Sequence, residues 1–320
     1  MNGYPNAVER ILLAAAGALA VALVLTPVAR WLMRRLGIVD MPRGRHHHHA
    51  PTPVGAGWAI SVALFFGLFL SDTSVSGPIA GLAAGLGLLI PLTLIDDIWG
   101  LPALQRLAGQ AVAAGIAWSL GVRIEGVTNL VVPWFGASYV ALGWLSLPAT
   151  VVWLVLLTNA VNWLDGIDGL AAGVSAIAAA TLACMAYLAG MTDVGCIAAA
   201  LCGAALGFLR YNFTPASVFM GDVGAMALGF VLACLAAIGA FKTTAAGALA
   251  APLLIGGLPL YDVVSTMWGR WRRGQALHAG DRTHVHHRLL GRGLTALQAV
   301  LVLYGVTAVL CVAALFIWRL

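Results

Sequence analysis

Apolar runs separated by short polar breaks set the layout of this chain. They fall at about 8–29, 54–70, 79–95, 107–121, 148–164, 170–190, 195–209, 223–241, 246–267 and 298–318. Runs of this kind, without period-two alternation, predict helices that cross a bilayer, because roughly 20 residues rising 1.5 Å each match about 30 Å of hydrocarbon. The pattern therefore predicts an all-α integral membrane protein of about ten transmembrane helices, with residues 1–320 forming one polytopic domain. A longer polar interval at Val122–Leu147 opens on an alternating stretch, Val122 to Val127. That alternation predicts a short β-hairpin lying on the membrane.

Composition agrees and narrows the classes. The chain is 61% hydrophobic and 9% charged, where a soluble domain carries roughly 25% charged residues. A large extramembrane domain is excluded. So is a nucleic-acid interface despite a pI near 9.2, because the basic residues have no soluble face on which to form a groove. A transmembrane β-barrel would need alternation that these runs lack. Cys184, Cys196, Cys202, Cys234 and Cys311 all lie inside apolar runs without metal-ligand spacing, and are expected to pack as small hydrophobes. Gly77, Gly81 and Gly85 form a small-xxx-small ladder that predicts a helix contact.

Arginine placement orients the chain. Arg30, Arg34, Arg35, Arg43 and Arg45 follow the first run, Arg106 the third, Arg210 the seventh, and six arginines from Arg270 to Arg292 the ninth. These are 13 of the 17 basic residues, leaving Arg10, Arg123, Lys242 and Arg319 for the other side. The positive-inside rule then places the rich side in the cytoplasm and both termini outside. The first run carries its charge behind it, so it is expected to be retained rather than cleaved as a signal peptide.

The acids gather on the same cytoplasmic side. Asp96 and Asp97 end the third run, Asp165 and Asp168 follow the fifth, Asp222 precedes the eighth, and Asp262 and Asp281 flank the end of the ninth. Carboxylates at membrane depth are costly, and five converging at one level point to function more than to separate helix caps. Adjacent Asp96 and Asp97 on a helix must point in different directions. Asp165 and Asp168, three apart, would share a face if helical, and the glycines beside them let backbone approach a ligand. Asp222 at a helix start fits a cap and a metal ligand equally.

The loop after the ninth run reads Asp281-Arg282-Thr283-His284-Val285-His286-His287-Arg288. Arginines beside the histidines oppose a dication and suit a phosphate, so phosphate is favoured over zinc. The run His46–His49, between Pro42 and Pro51, is taken as native loop. Acids able to hold Mg²⁺ beside Arg and His donors, at a membrane face, indicate chemistry on a phosphate with a lipid reactant. A secondary transporter coupled through buried aspartates is the alternative, although its carboxylates belong nearer the bilayer midplane and no internal repeat is visible.

These motifs resemble those of the polyprenyl-phosphate N-acetylhexosamine-1-phosphate transferases over nearly the whole chain. The resemblance rests on Asp96-Asp97, the Asn-x-x-Asn-x-x-Asp-Gly-x-Asp-Gly stretch at Asn159–Gly169, Phe219-Met220-Gly221-Asp222, and His284-Val285-His286-His287. It implies transfer of a sugar 1-phosphate from a UDP-N-acetylhexosamine to polyprenyl phosphate, with release of UMP, at the cytoplasmic face of a bacterial inner membrane. Asp222 would bind Mg²⁺, with Mn²⁺ able to substitute, and Asp96 and Asp97 would serve the attacking lipid phosphate. Asn159, Asn162, Asp165, Asp168, Asn212 and Phe219 would form or support the nucleotide pocket. Arg282, His284, His286 and His287, with Arg45 and His48, would hold the donor. The family's first cytoplasmic loop usually carries a lysine where this chain has His46. His-Val-His-His in place of three consecutive histidines is closer to the GlcNAc-1-phosphate branch than to the peptidoglycan translocases. A homodimer is an assembly compatible with the resemblance.

Overall fold

A computed structural model describes residues 6–41, 51–75, 77–128, 139–238, 255–274 and 284–319. Its helices are α1 (Ala7–Arg35), α2 (Trp58–Leu70), α3 (Pro78–Trp99), α4 (Ala103–Ser119), α5 (Ser146–Leu164), α6 (Leu170–Leu188), α7 (Thr192–Asn212), α8 (Gly221–Ile238), α9 (Gly257–Arg272), α10 (Val285–Leu290) and α11 (Ala296–Arg319). Seven of the described helices are long and apolar enough to cross a membrane: α1, α3, α5 with the turn before it, α6, α7, α8 and α11. The chain is thus a helical membrane protein. The ten full spans expected are a finer count than this. At 13 residues α2 reaches only about 20 Å and α4 has 17 residues, while the end of the eighth expected run and the first part of the ninth, at 239–254, lie outside the described residues.

The centre of the bundle is α6, α7 and α8, with α1 and α11 on the rim. Close approach comes from small residues. A side chain at Gly203 would run into the Ala15 carbonyl of α1, and one at Gly207 would meet Ala22 at 2.6 Å. Without a hydrophobic drive between helices in lipid, such contacts supply the packing. The expected ladder on α3 is realised at Gly81 and Gly85, which face the Ala117 and Ala113 carbonyls of α4, whereas Gly77 is the N-cap ahead of the helix and faces open space. Of the five cysteines, all free, Cys196, Cys234 and Cys311 are buried and Cys202 is half-buried. Cys184 is exposed, contrary to the expectation for it.

Two small antiparallel pairings stand outside the helices. β1 (Val39–Asp40) pairs with β2 (Thr52–Pro53), Val39 opposite Pro53. After α4, β3 (Gly126–Thr128) pairs with β4 (Tyr139–Ala141), while residues 129–138, where the expected hairpin would turn, lie outside the described residues. The helix expected from residue 54 starts at Trp58, because Gly55, at φ +79°, and the turn at Ala56-Gly57 break the approach, and this stretch bonds to the segment just before α8. Phe219 N–H donates to Pro53 O at 2.8 Å, and Gly57 N–H to Met220 O at 2.9 Å. The rim helix α11 closes over the turn between α5 and α6. Its Tyr304 hydroxyl donates to the Gly169 carbonyl at 2.7 Å and fills the notch left by Gly173.

Candidate active site

The acids converge where α3, α5 and α8 end or begin. In the last turn of α3, Asp96 and Asp97 diverge as adjacent helical residues must. Asp96 Oδ1 accepts the Leu101 amide at 2.6 Å, and its Oδ2 accepts Arg106 Nη1 at 2.9 Å. The same Nη1 lies 3.1 Å from Asp222 Oδ2. One guanidinium therefore bridges two carboxylates from α3 and α8, and Asn162 approaches the Asp222 carboxylate from α5.

Asp97 turns the other way, onto the start of α8. Its Oδ1 accepts the Asp222 amide at 2.8 Å and its Oδ2 the Val223 amide at 3.1 Å. A helix leaves its first amides unpaired, and here a carboxylate 125 residues away caps them. The contact requires glycine at 221. Its φ is +68°, and a Cβ there would sit 2.5 Å from Asp97 Oδ2. With Asp97 as the cap, Asp222 is left free to direct its own carboxylate toward Arg106 and Asp96.

Asp165 and Asp168 do not share a helical face. α5 stops at Leu164, and Gly169, at φ +80°, turns the chain into α6. Asp165 is half-buried and beside Asp222, Asp97 and Asp168. Desolvation, and then those neighbouring charges, push its carboxyl well above the usual range. Asp168 instead holds the 214–217 loop, its Oδ2 accepting the Ala216 amide at 2.8 Å. Asn212 is a buried clip, accepting from Gly169 N–H at 3.2 Å and donating to Val218 O at 3.0 Å. Asn159 pairs inside the bundle with Gln110 of α4, donating at 2.6 Å. Phe219 contributes its backbone to the β2 segment.

The histidine motif lies against the same turn. His286 is 1% exposed, and its Nε2 occupies the space a side chain at Gly166 would need. It stacks in parallel on His284 at 5.8 Å between ring centroids and tilts against His287 at 4.3 Å. Neither of its ring nitrogens has a hydrogen-bond partner among the described residues. Burial first, then the nearby His287, push its pKa down to about 3. The unfolded chain, with a pKa near 6.5, then binds one more proton between about pH 6.5 and 3, so stability is lost as pH falls through that window. His286→Gln should flatten the decline in melting temperature between pH 7 and pH 5, a difference of about 2 kcal/mol. Unchanged slopes for the two proteins would exclude a neutral, buried His286.

Arg45, His46, His48, Asp281 and Arg282 lie outside the described residues. Three residues emerge that sequence patterns gave no role in the site. Arg106, counted only as an orienting charge, is the one Lys or Arg between Arg45 and Arg123. That isolation was the available signal. Gln110 sits on the same face of α4, one turn on. Asp262 is fully buried beneath the histidine motif.

Mg²⁺ takes oxygen ligands, usually one or two carboxylates completed by water and phosphate oxygens. Asp96 and Asp222 fit that donor set as two carboxylates whose oxygens converge on one point, taken by Arg106 Nη1. Among the described residues no group of three His, Cys, Asp or Glu side chains is arranged as a metal cage.

Residues 79–240 match the family model described as "Glycosyl transferase family 4". Over 96% of its length the chain is 32% identical to a probable undecaprenyl-phosphate N-acetylglucosaminyl 1-phosphate transferase of Bacillus subtilis, covering 84% of that protein. It is 33% identical to a decaprenyl-phosphate N-acetylglucosaminephosphotransferase of Mycobacterium tuberculosis, over 87% of this chain and 75% of that one. It is also 34% identical to a phospho-N-acetylmuramoyl-pentapeptide-transferase of Desulforudis audaxviator, over 95% and 97% of the two chains. The acids, the asparagines and the histidine motif that suggested this kinship fall within those matched lengths, and the chain belongs to glycosyl transferase family 4, among the polyprenyl-phosphate sugar-1-phosphate transferases.

Proposed function

We propose that the protein transfers N-acetylglucosamine 1-phosphate from UDP-N-acetylglucosamine to undecaprenyl phosphate, releasing UMP. The observation that carries this is the meeting of Asp96 and Asp222 on Arg106, with Asp97 and Asp165 beside Asp222 and the histidine motif packed on the same turn. An oxygen of the lipid phosphate attacks the β-phosphorus of the donor. The bond from that phosphorus to the oxygen bridging it to the α-phosphorus breaks, and UMP leaves with the electron pair. A phosphate monoester has a second pKa of about 6 and is largely dianionic at neutral pH, so the attack needs positioning more than a strong base. Asp222, with Asp96, would hold Mg²⁺, which when bound supplies charge neutralisation on the phosphates. Arg106 keeps the two carboxylates aligned. His284, His286 and His287 lie where the donor diphosphate or its sugar would be held, and Arg45, His48 and Arg282 are proposed as further donor contacts. Asn162 supports Asp222, while Asn159, Asp168, Asn212 and Phe219 shape the pocket from behind.

Purified protein with undecaprenyl phosphate, Mg²⁺ and a panel of UDP-GlcNAc, UDP-GalNAc and UDP-MurNAc-pentapeptide tests this by UMP release. Turnover confined to the pentapeptide donor would reject the GlcNAc assignment. None of the relatives above is a transporter, and that alternative is dropped.

The site is proposed to face the cytoplasm of the inner membrane, with the β3–β4 pair and both termini outside. The 13-to-4 asymmetry of basic residues supports this. Gln275, just past the described end of α9, provides the check. A cysteine there in a cysteine-null background should resist an impermeant thiol reagent in intact cells. Labelling would reverse the orientation.

A further inference from the structure

Asp262 lies in α9 with no exposed surface, yet both carboxylate oxygens are engaged by one short stretch of chain. Its Oδ1 accepts the Val285 amide at 2.6 Å, and its Oδ2 is 2.8 Å from Nδ1 of His284. Oδ1 acts as an acceptor toward the Val285 amide, and Oδ2 acting likewise toward the ring corresponds to a proton on Nδ1. The ring is fixed on its other sides as well. Trp163 meets it edge-on at 5.5 Å, and His286 lies parallel to it at 5.8 Å. Nδ1 is consumed and the plane is held, so Nε2 is the ring atom left for a ligand. A carboxylate used only to start α10 would need the Val285 amide and not the ring.

We infer that Asp262 is a positioning residue, which holds His284 in the Nδ1–H tautomer with Nε2 directed to the phosphate chemistry of the site. The inference rests on the reading that the histidine motif takes the donor diphosphate. Partners of this kind orient liganding histidines elsewhere, and their loss commonly costs on the order of 10- to 100-fold.

The test uses the full chain in detergent, labelled with ¹⁵N-histidine. Wild type should show the Nδ1–H pattern for His284. In Asp262→Asn the single amide oxygen can accept from the ring or from Val285, while the NH₂ opposes the other donor. The Nδ1–H signal should then weaken, and KM for UDP-GlcNAc should rise by roughly tenfold or more, with a smaller change in kcat. Asp262→Glu, which keeps the carboxylate, should recover part of that loss. In a His284→Ala background, Asp262→Asn should add little.

An Nε2–H tautomer in wild type overturns the inference without any variant, even if Asp262→Asn fails to fold. Equal effects of Asp262→Asn with and without His284 overturn it too, leaving Asp262 as packing alone. If His284→Ala leaves KM unchanged while Asp262→Asn still shifts the tautomer, the hold on the ring stands and the diphosphate reading falls.

Discussion

Asp222→Asn should cut UMP release by on the order of a hundredfold or more while leaving expression and melting temperature close to wild type. The amide keeps the shape of the side chain and removes the charge facing Asp96 and Arg106. A residue that merely capped α8 would give the opposite result, because asparagine caps nearly as well as aspartate. The geometry separates these outcomes in advance, since the amides of residues 222 and 223 are already taken by Asp97. A folded Asp222→Asn protein keeping more than about a tenth of wild-type turnover at saturating Mg²⁺ would remove Asp222 from metal binding.

Asp97→Asn should lose both turnover and stability, and that pairing distinguishes it from its neighbours. Its two oxygens serve two backbone amides, and an amide side chain can serve only one while pointing its NH₂ at the other. A buried donor left unsatisfied costs about 1–3 kcal/mol, so the melting temperature should drop by a few degrees. The start of α8 would shift with it, carrying Asp222 out of line with Asp96. Turnover should fall roughly tenfold to a hundredfold, since small misplacements in a site are expensive. Full turnover in a destabilised variant would show that Asp97 matters to the fold and not to the alignment of Asp222.

The helical runs were readable because lipid imposes one rule on every span. Their ends were not. Residues 54–57, Val-Gly-Ala-Gly, carry no charge to mark a boundary, and the positive φ of Gly55 and the bonds to residues 219–220 hold them out of the helix. The two glycines near Asp165 signalled a break, and they end the helix that would have aligned Asp165 with Asp168. The site was visible as a set of acids at one depth, because charge in such a chain is scarce. Which acid faces which could not be read, since the cap on Asp222 comes from 125 residues away. Arg106 and Asp262 were in plain view as charges. Their roles depend on partners that only the packing brings near.

The hydrogen bond from Tyr304 to Gly169 also carries a consequence for biosynthesis. The two residues are 135 positions apart. At translation rates of about 5–20 residues per second, Gly169 leaves the ribosome on the order of ten seconds before its partner. During that interval the turn bearing Asp165 and Asp168 has no lid, and the Gly169 carbonyl accepts from the Gly173 amide of α6 without the second bond from the hydroxyl. A nascent chain stalled before residue 296 would therefore hold most of the acid cluster in place with its supporting turn still unlatched, which makes assembly of the site a late event in membrane insertion.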